Sequence, residues 1–133
     1  MIAVFTLGSC QGIAYIHACA IGTNLGFKIE EAPGWFGSRA PHPDRLSVYQ
    51  AEPVSYMWAA WANPIEVSKA KSANTPRSVI AYGEKIPGWD ADHDARKLNL
   101  GVEYVVEVAT TDGRTGKDRF TFGWALPDCV KNS

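Results

Sequence analysis

The chain has 133 residues, 46% of them hydrophobic and 20% charged, with 13 basic and 14 acidic side chains and a formal net charge of -1. That length and apolar content suit one compact domain over residues 1–133 with a real core, and exclude a disordered chain. No apolar run approaches the ~20 residues of a membrane helix, and near-zero net charge supplies no global attraction to nucleic acid, so neither a membrane span nor a nucleic-acid partner is expected.

Ile2 to Leu7 reads as a short buried strand, broken by Gly8-Ser9. Cys10 to Ile21 is apolar nearly all round and reads as a buried helix capped by Ser9 and ended by Gly22, with alternation through Ile13, Tyr15, His17 and Cys19 as the strand alternative. Phe27 to Glu31 is a short strand. Residues 32–44, with three prolines and two glycines, are expected to be irregular, and Leu46 to Gln50 resumes as a strand. Pro53 is placed to open a helix over Val54 to Ala62, with Trp58 and Trp61 one turn apart on one side. Asn63-Pro64-Ile65-Glu66 has the order of a cap, a first-turn proline and an acidic third position, which predicts a second short helix to about Ala73.

Ser78 to Tyr82 is strand-like, and Pro87-Gly88-Trp89 turns the chain. Val102, Tyr104, Val106 and Val108 alternate with Glu103, Val105 and Glu107, and Phe120, Phe122 and Trp124 alternate with Arg119, Thr121 and Gly123. Period two on both sides of a polar, glycine-containing loop predicts a β-hairpin pairing 101–110 with 118–125, its inner face formed by Tyr104, Val106, Phe120 and Phe122. Leu98-Asn-Leu-Gly-Val-Glu-Tyr-Val-Val-Glu-Val resembles the late strands of fibronectin-type sandwiches over about a dozen residues, without the earlier strands of that pattern. The expected fold is therefore α+β, an antiparallel sheet with one or two short helices packed on it; the alternative is an all-β sandwich.

Three cysteines, Cys10, Cys19 and Cys129, are an odd number at irregular spacing, which points to free, mostly buried thiols in a reducing, cytoplasmic setting. Thr6-Leu7-Gly8-Ser9-Cys10 resembles the lipobox of a bacterial lipoprotein signal, but the apolar stretch before it is short and no basic residue precedes it. Gly8-Ser9-Cys10 also resembles the nucleophile segment of papain-like cysteine hydrolases. A thiol at a helix N-terminus is activated by the backbone dipole, and the resemblance implies a hydrolase or transferase with Cys10 as nucleophile. Such chemistry needs an imidazole base, and His17, His42 and His93 lie in no expected strand that would bring one to the sulfur.

Asp90, Asp92 and Asp94 alternate as in the opening of a calcium loop, yet Ala95 and Gly101 stand where that loop needs its glycine and its glutamate. The plainer reading is a solvated turn capping a short helix toward Arg96 and Lys97. A cation-dependent carbohydrate-binding domain is the reading that gives the cluster a task. Arg114, Lys117 and Arg119 read as a soluble hairpin tip. Pro33-Gly34-Trp35 and Pro87-Gly88-Trp89 each predict a tight turn leading into a tryptophan. Trp35, Phe36 and Trp89 are thus candidate anchors on Pro/Gly-rich loops. With no complete catalytic constellation, the leading expectation is a non-enzymatic binding or protein-interaction module without a cofactor, recognising an unidentified protein or small ligand.

Overall fold

The computed structural model describes residues 14–31, 42–63, 65, 78–111 and 113–130. Eight strands run through them: β1 (Ala14–Ile21), β2 (Asn24–Glu31), β3 (Pro43–Gln50), β4 (Ser55–Ala62), β5 (Val79–Ala81), β6 (Trp89–Ala91), β7 (Glu103–Thr110) and β8 (Thr115–Thr121). One sheet has the order β1-β2-β5 and the other β6-β4-β3-β7-β8, and every pairing of strands within them is antiparallel. The two share one core: Phe27, Ile29 and Ile80 from the smaller sheet meet Leu46, Val48, Trp58, Tyr104, Val106 and Phe120 from the larger. This arrangement fits the all-β sandwich and overturns the α+β expectation. None of the described helical backbone is long and apolar enough to cross a membrane, a statement that does not extend to strands.

Two expected helices are strands, for identifiable reasons. In β1 the buried Ala14, Ile16 and Ala18 alternate with the exposed Tyr15 and His17, and Cys19, also buried, departs from the pattern near the strand's end. Period two thus governs most of a segment whose alanines also suit a helix. Gly22, read as a helix end, is instead the first residue of the two-residue turn joining β1 to β2, with φ of 62°. Both structures need a positive φ there, so the glycine does not discriminate between them. Pro53 begins no helix; it follows a cis peptide bond in the turn 51–54, and β4 then runs between β3 and β6. Trp58 faces the core and Trp61 the outside, as an odd separation requires in a strand. Of the helix expected over 63–73, only Asn63 and Ile65 are described; Ile65 N donates to Asn63 Oδ1 at 3.0 Å. The strand expected over 2–7 lies outside the described residues.

The expected hairpin forms as β7–β8, with Tyr104 opposite Phe120 and Val106 opposite Asp118. It is longer at the turn than expected, since pairing reaches Ala109 and Thr115. Lys117 and Arg119 therefore stand within β8 and not at a tip. Phe122 lies beyond β8 and is half-buried, its N–H donating to Val102 O at 3.0 Å.

One edge of β1 pairs with β2; the other faces β8 and the C-terminal segment. Ala18 N donates to Asp118 Oδ2 at 3.1 Å, Ala20 N donates to Pro127 O at 2.8 Å, and Cys129 N donates to Ala20 O at 2.9 Å. A Cβ at Gly116 would run into the Ala14 carbonyl, so only glycine permits this approach of β8 to β1. Cys19 and Cys129, both buried, form a disulfide across the same seam. Free thiols are thus overturned for these two; Cys10 lies outside the described residues. An odd count hides a pair when the partners are far apart, here by 110 positions.

Two predictions follow from this closure and this core. Replacing Cys129 by Ala should lower stability by about 2–4 kcal/mol in a denaturant titration, because so long a loop is left unconstrained in the unfolded chain. Phe120 packs 5.9 Å from the ring centroids of both Phe27 and Tyr104, so Phe120→Ala should cost about 3–5 kcal/mol. A loss below about 1 kcal/mol would contradict its inward placement.

Candidate functional site

Alternation sends every second residue of the larger sheet to its outer face. In register across that face stand Trp61, Arg45, Ala109 and Thr115; then Ala59, Ser47, Glu107 and Lys117; then Tyr56, Tyr49, Val105 and Arg119. Tyr56 reaches this face through a β-bulge. Val48 pairs with Trp58 but Tyr49 pairs with Tyr56, so Met57 is an extra residue that reverses the alternation. Trp58 thereby points into the core while Tyr56, two positions away, points out and is 54% exposed.

A groove of about 700 Å³ runs over this face, lined among others by Arg45, Ser47, Tyr56, Glu107, Thr115 and Lys117. That volume is in the range that accommodates small ligands. Ala59, Ser47 and Ala109 keep its floor low. Tyr49 OH donates to Glu107 Oε1 at 2.8 Å, and its ring lies 5.4 Å from that of Tyr56, tilted by 50°. The hydrogen bond to Glu107, then burial and the carboxylate charge, raise the Tyr49 pKa, so the phenol stays protonated and keeps its donor. Arg119 is paired with Glu103 at 2.9 Å. Arg45 and Lys117, both exposed, have no hydrogen-bonding or ionic partner among the described residues. Arg45 also borders a second hollow of about 370 Å³, with Asp44, Trp61 and Ala62. Asp44 is the extra residue of another bulge, and its Oδ1 is buried with no hydrogen-bond donor among the described residues.

The described site candidates from the sequence, Trp89, Asp90, Asp92 and Asp94, fall elsewhere. Cys10, Trp35 and Phe36 lie outside the described residues. Pro87-Gly88-Trp89 forms the expected turn, with Gly88 at φ 84° and Trp89 N donating to Ile86 O at 3.0 Å. Trp89 is half-buried against the core and borders a cleft of about 260 Å³ together with Asp90, His93 and Asp94. Within the acidic cluster, Asp90 Oδ2 accepts from Asn63 Nδ2 at 2.9 Å and Asp92 Oδ1 accepts from Ala59 N at 3.2 Å. Asp92 Oδ2 lies 3.3 Å from His93 Nε2, while His93 Nδ1 contacts Asp94 O at 2.7 Å. Among the described residues no three His, Cys, Asp or Glu side chains are grouped to hold a metal ion. The helix expected after this cluster is not formed: Asp92 satisfies an N–H of β4 just beyond the end of β6, and residues 92–99 are irregular.

Sequence reasoning missed Arg45, Tyr56 and Lys117 as neighbours. The β7 alternation already put Glu107 on the polar face, but nothing local showed which strands lie beside β7 or that a bulge turns Tyr56 outward. No protein-family model matches the chain, and no curated protein matches its sequence.

Beside the Trp89 cleft, Tyr82 stacks edge-on to Trp58 at 5.5 Å and donates its hydroxyl to Arg96 O at 2.7 Å. Burial, with a smaller contribution from Tyr104, pushes its pKa up to about 12 from the model-compound value of 10.0. A raised folded-state pKa means that the unfolded chain loses its proton first. The stabilisation is complete below about pH 10 and is lost as the pH rises through about 12. Tyr82→Phe should flatten this alkaline fall in the melting temperature while the wild type retains it.

Proposed function

We propose that the protein is a non-enzymatic ligand-binding module whose binding surface is the outer groove of the five-stranded sheet. One observation carries the reading: Arg45 and Lys117 both line a groove with a low floor, without side-chain partners among the described residues. Cations left unpaired beside a concavity are available to a ligand, whereas Arg119 on the same face is already matched by Glu103. The groove is built on paired strands, so the backbone that carries its side chains is held in place before a ligand arrives. The Tyr49–Glu107 hydrogen bond fixes one wall in the same way. The carboxylates of Asp90 and Asp92 accept hydrogen bonds from within the protein, and among the described residues no three His, Cys, Asp or Glu side chains are grouped to hold a cation. The buried Cys19–Cys129 disulfide favours an oxidising compartment over the cytoplasm expected from the sequence, since such bonds persist where thiols are not kept reduced.

The experiment is a binding screen of saccharides and peptides on isotopically labelled protein, read by amide chemical-shift changes. Changes should map to β3, β4, β7 and β8, and Tyr56→Ala should weaken the best ligand by about 2 kcal/mol with an unchanged melting temperature. Shifts confined to the cleft at Trp89, with full affinity in Tyr56→Ala, would overturn the reading.

A further inference from the structure

We infer that the groove takes an acidic oligosaccharide whose sugar units carry carboxylate groups. The inference rests on the reading of this groove as the binding surface and adds the chemistry of its ligand. Arg45 lies on β3 and Lys117 on β8, two strands away and one residue pair along. With strands about 4.8 Å apart and about 3.4 Å of rise per residue, their backbones are separated by roughly 12 Å. Two unpaired cations carried on backbones that far apart match a ligand that bears one charge at each of two places. Among the described residues lining the groove the other charge is Glu107, which already accepts the Tyr49 hydroxyl, so this described lining is net positive toward a ligand. An arginine fork binds a planar carboxylate through two parallel hydrogen bonds, and a lone lysine suits a second one as a point charge.

The uncharged parts of the groove suit sugar rings. Tyr56 presents an exposed ring, held from behind by Tyr49, as a flat platform for the apolar face of a pyranose. Ser47 places a hydroxyl beside the floor within reach of ring substituents. A peptide ligand is less well matched, because strand addition needs an open sheet edge, whereas the backbone groups of β3 and β7 are committed to ladders on both sides. Nucleic acids and densely sulfated chains carry closely spaced charges and are held by many cations, whereas the described lining of the groove offers two, Arg45 and Lys117, with Arg119 on the same face already paired to Glu103.

Titration calorimetry of the full chain with oligogalacturonate tests the inference, beside the same oligomer reduced at its carboxyl groups, a neutral glucan oligomer, a heparin oligosaccharide and polyglutamate. Oligogalacturonate should bind and weaken as salt is added, and Arg45→Gln and Lys117→Gln should each weaken it by about tenfold or more. All the side chains changed are exposed, so an unaltered melting temperature shows that the variants fold. The carboxyl-reduced oligomer should lose the same affinity. If it or the glucan binds as tightly as the acid, or if no uronate binds at millimolar concentration, the acidic-sugar assignment is overturned. Preference for heparin or polyglutamate overturns it too. The groove reading survives any of these where Tyr56→Ala abolishes the binding that is seen. Uronate binding that Tyr56→Ala, Arg45→Gln and Lys117→Gln leave intact overturns the groove itself.

Discussion

The second edge of β1 must be satisfied without a full strand beside it, and much of the structure follows from how that is done. An open edge leaves backbone donors and acceptors that either meet partners or invite another chain. Here the Asp118 carboxylate takes the N–H of Ala18, and the segment around Asp128 adds a short parallel bridge at Ala20, fastened by the Cys19–Cys129 disulfide. The close passage of Gly116 by Ala14 lets β8 come near enough for Asp118 to reach. Successive strand residues point to opposite faces, so the inward turn of Asp118 toward β1 sends Lys117 and Arg119 outward. The strand that closes the sandwich is therefore also the strand that supplies a cation to the groove.

Asp118 is one of several carboxylates that end a ladder where the neighbouring backbone stops. Asp92 receives the N–H of Ala59 just past β6, and Glu84 receives that of Ala81 beside β5. A charged acceptor forms a stronger hydrogen bond than a neutral carbonyl, which suits short strands such as β5 and β6 with few pairs of their own. This is the physical reason Asp90 and Asp92, two of the alternating aspartates after Trp89, have oxygens committed to partners within the protein. Their spacing is that of a strand and its continuation, and their oxygens face different neighbours.

The groove depends on a different local irregularity. A regular β4 would carry Tyr56 and Trp58 on the same face; the extra residue at Met57 separates them. One large aromatic then fills the core and the other stands beside Tyr49 over the floor of small residues. Because this floor is paired sheet carrying short side chains, its shape is set by the strands themselves.

Much of the antiparallel framework was legible from local chemistry. The β7–β8 hairpin announced itself by strict alternation, the Pro87-Gly88 turn by its residue types, and β2, β3 and β5 by short apolar runs. The inward Tyr104, Val106 and Phe120 and the outward Glu107 were all readable from period two. What the tertiary structure alone decided is non-local. Ala14 to Ile21 and Ser55 to Ala62 have compositions compatible with helix or strand, and β2 on one side and β3 on the other made them strands by pairing with them. The union of Cys19 with Cys129 required their chain segments to meet, and the opposed faces of Tyr56 and Trp58 required a bulge. The grouping of Arg45 with Lys117 required β3, β7 and β8 to lie side by side. Pattern along a chain reports the face a residue prefers, whereas a site is a set of neighbours across strands, and neighbours are chosen by the packing of the whole.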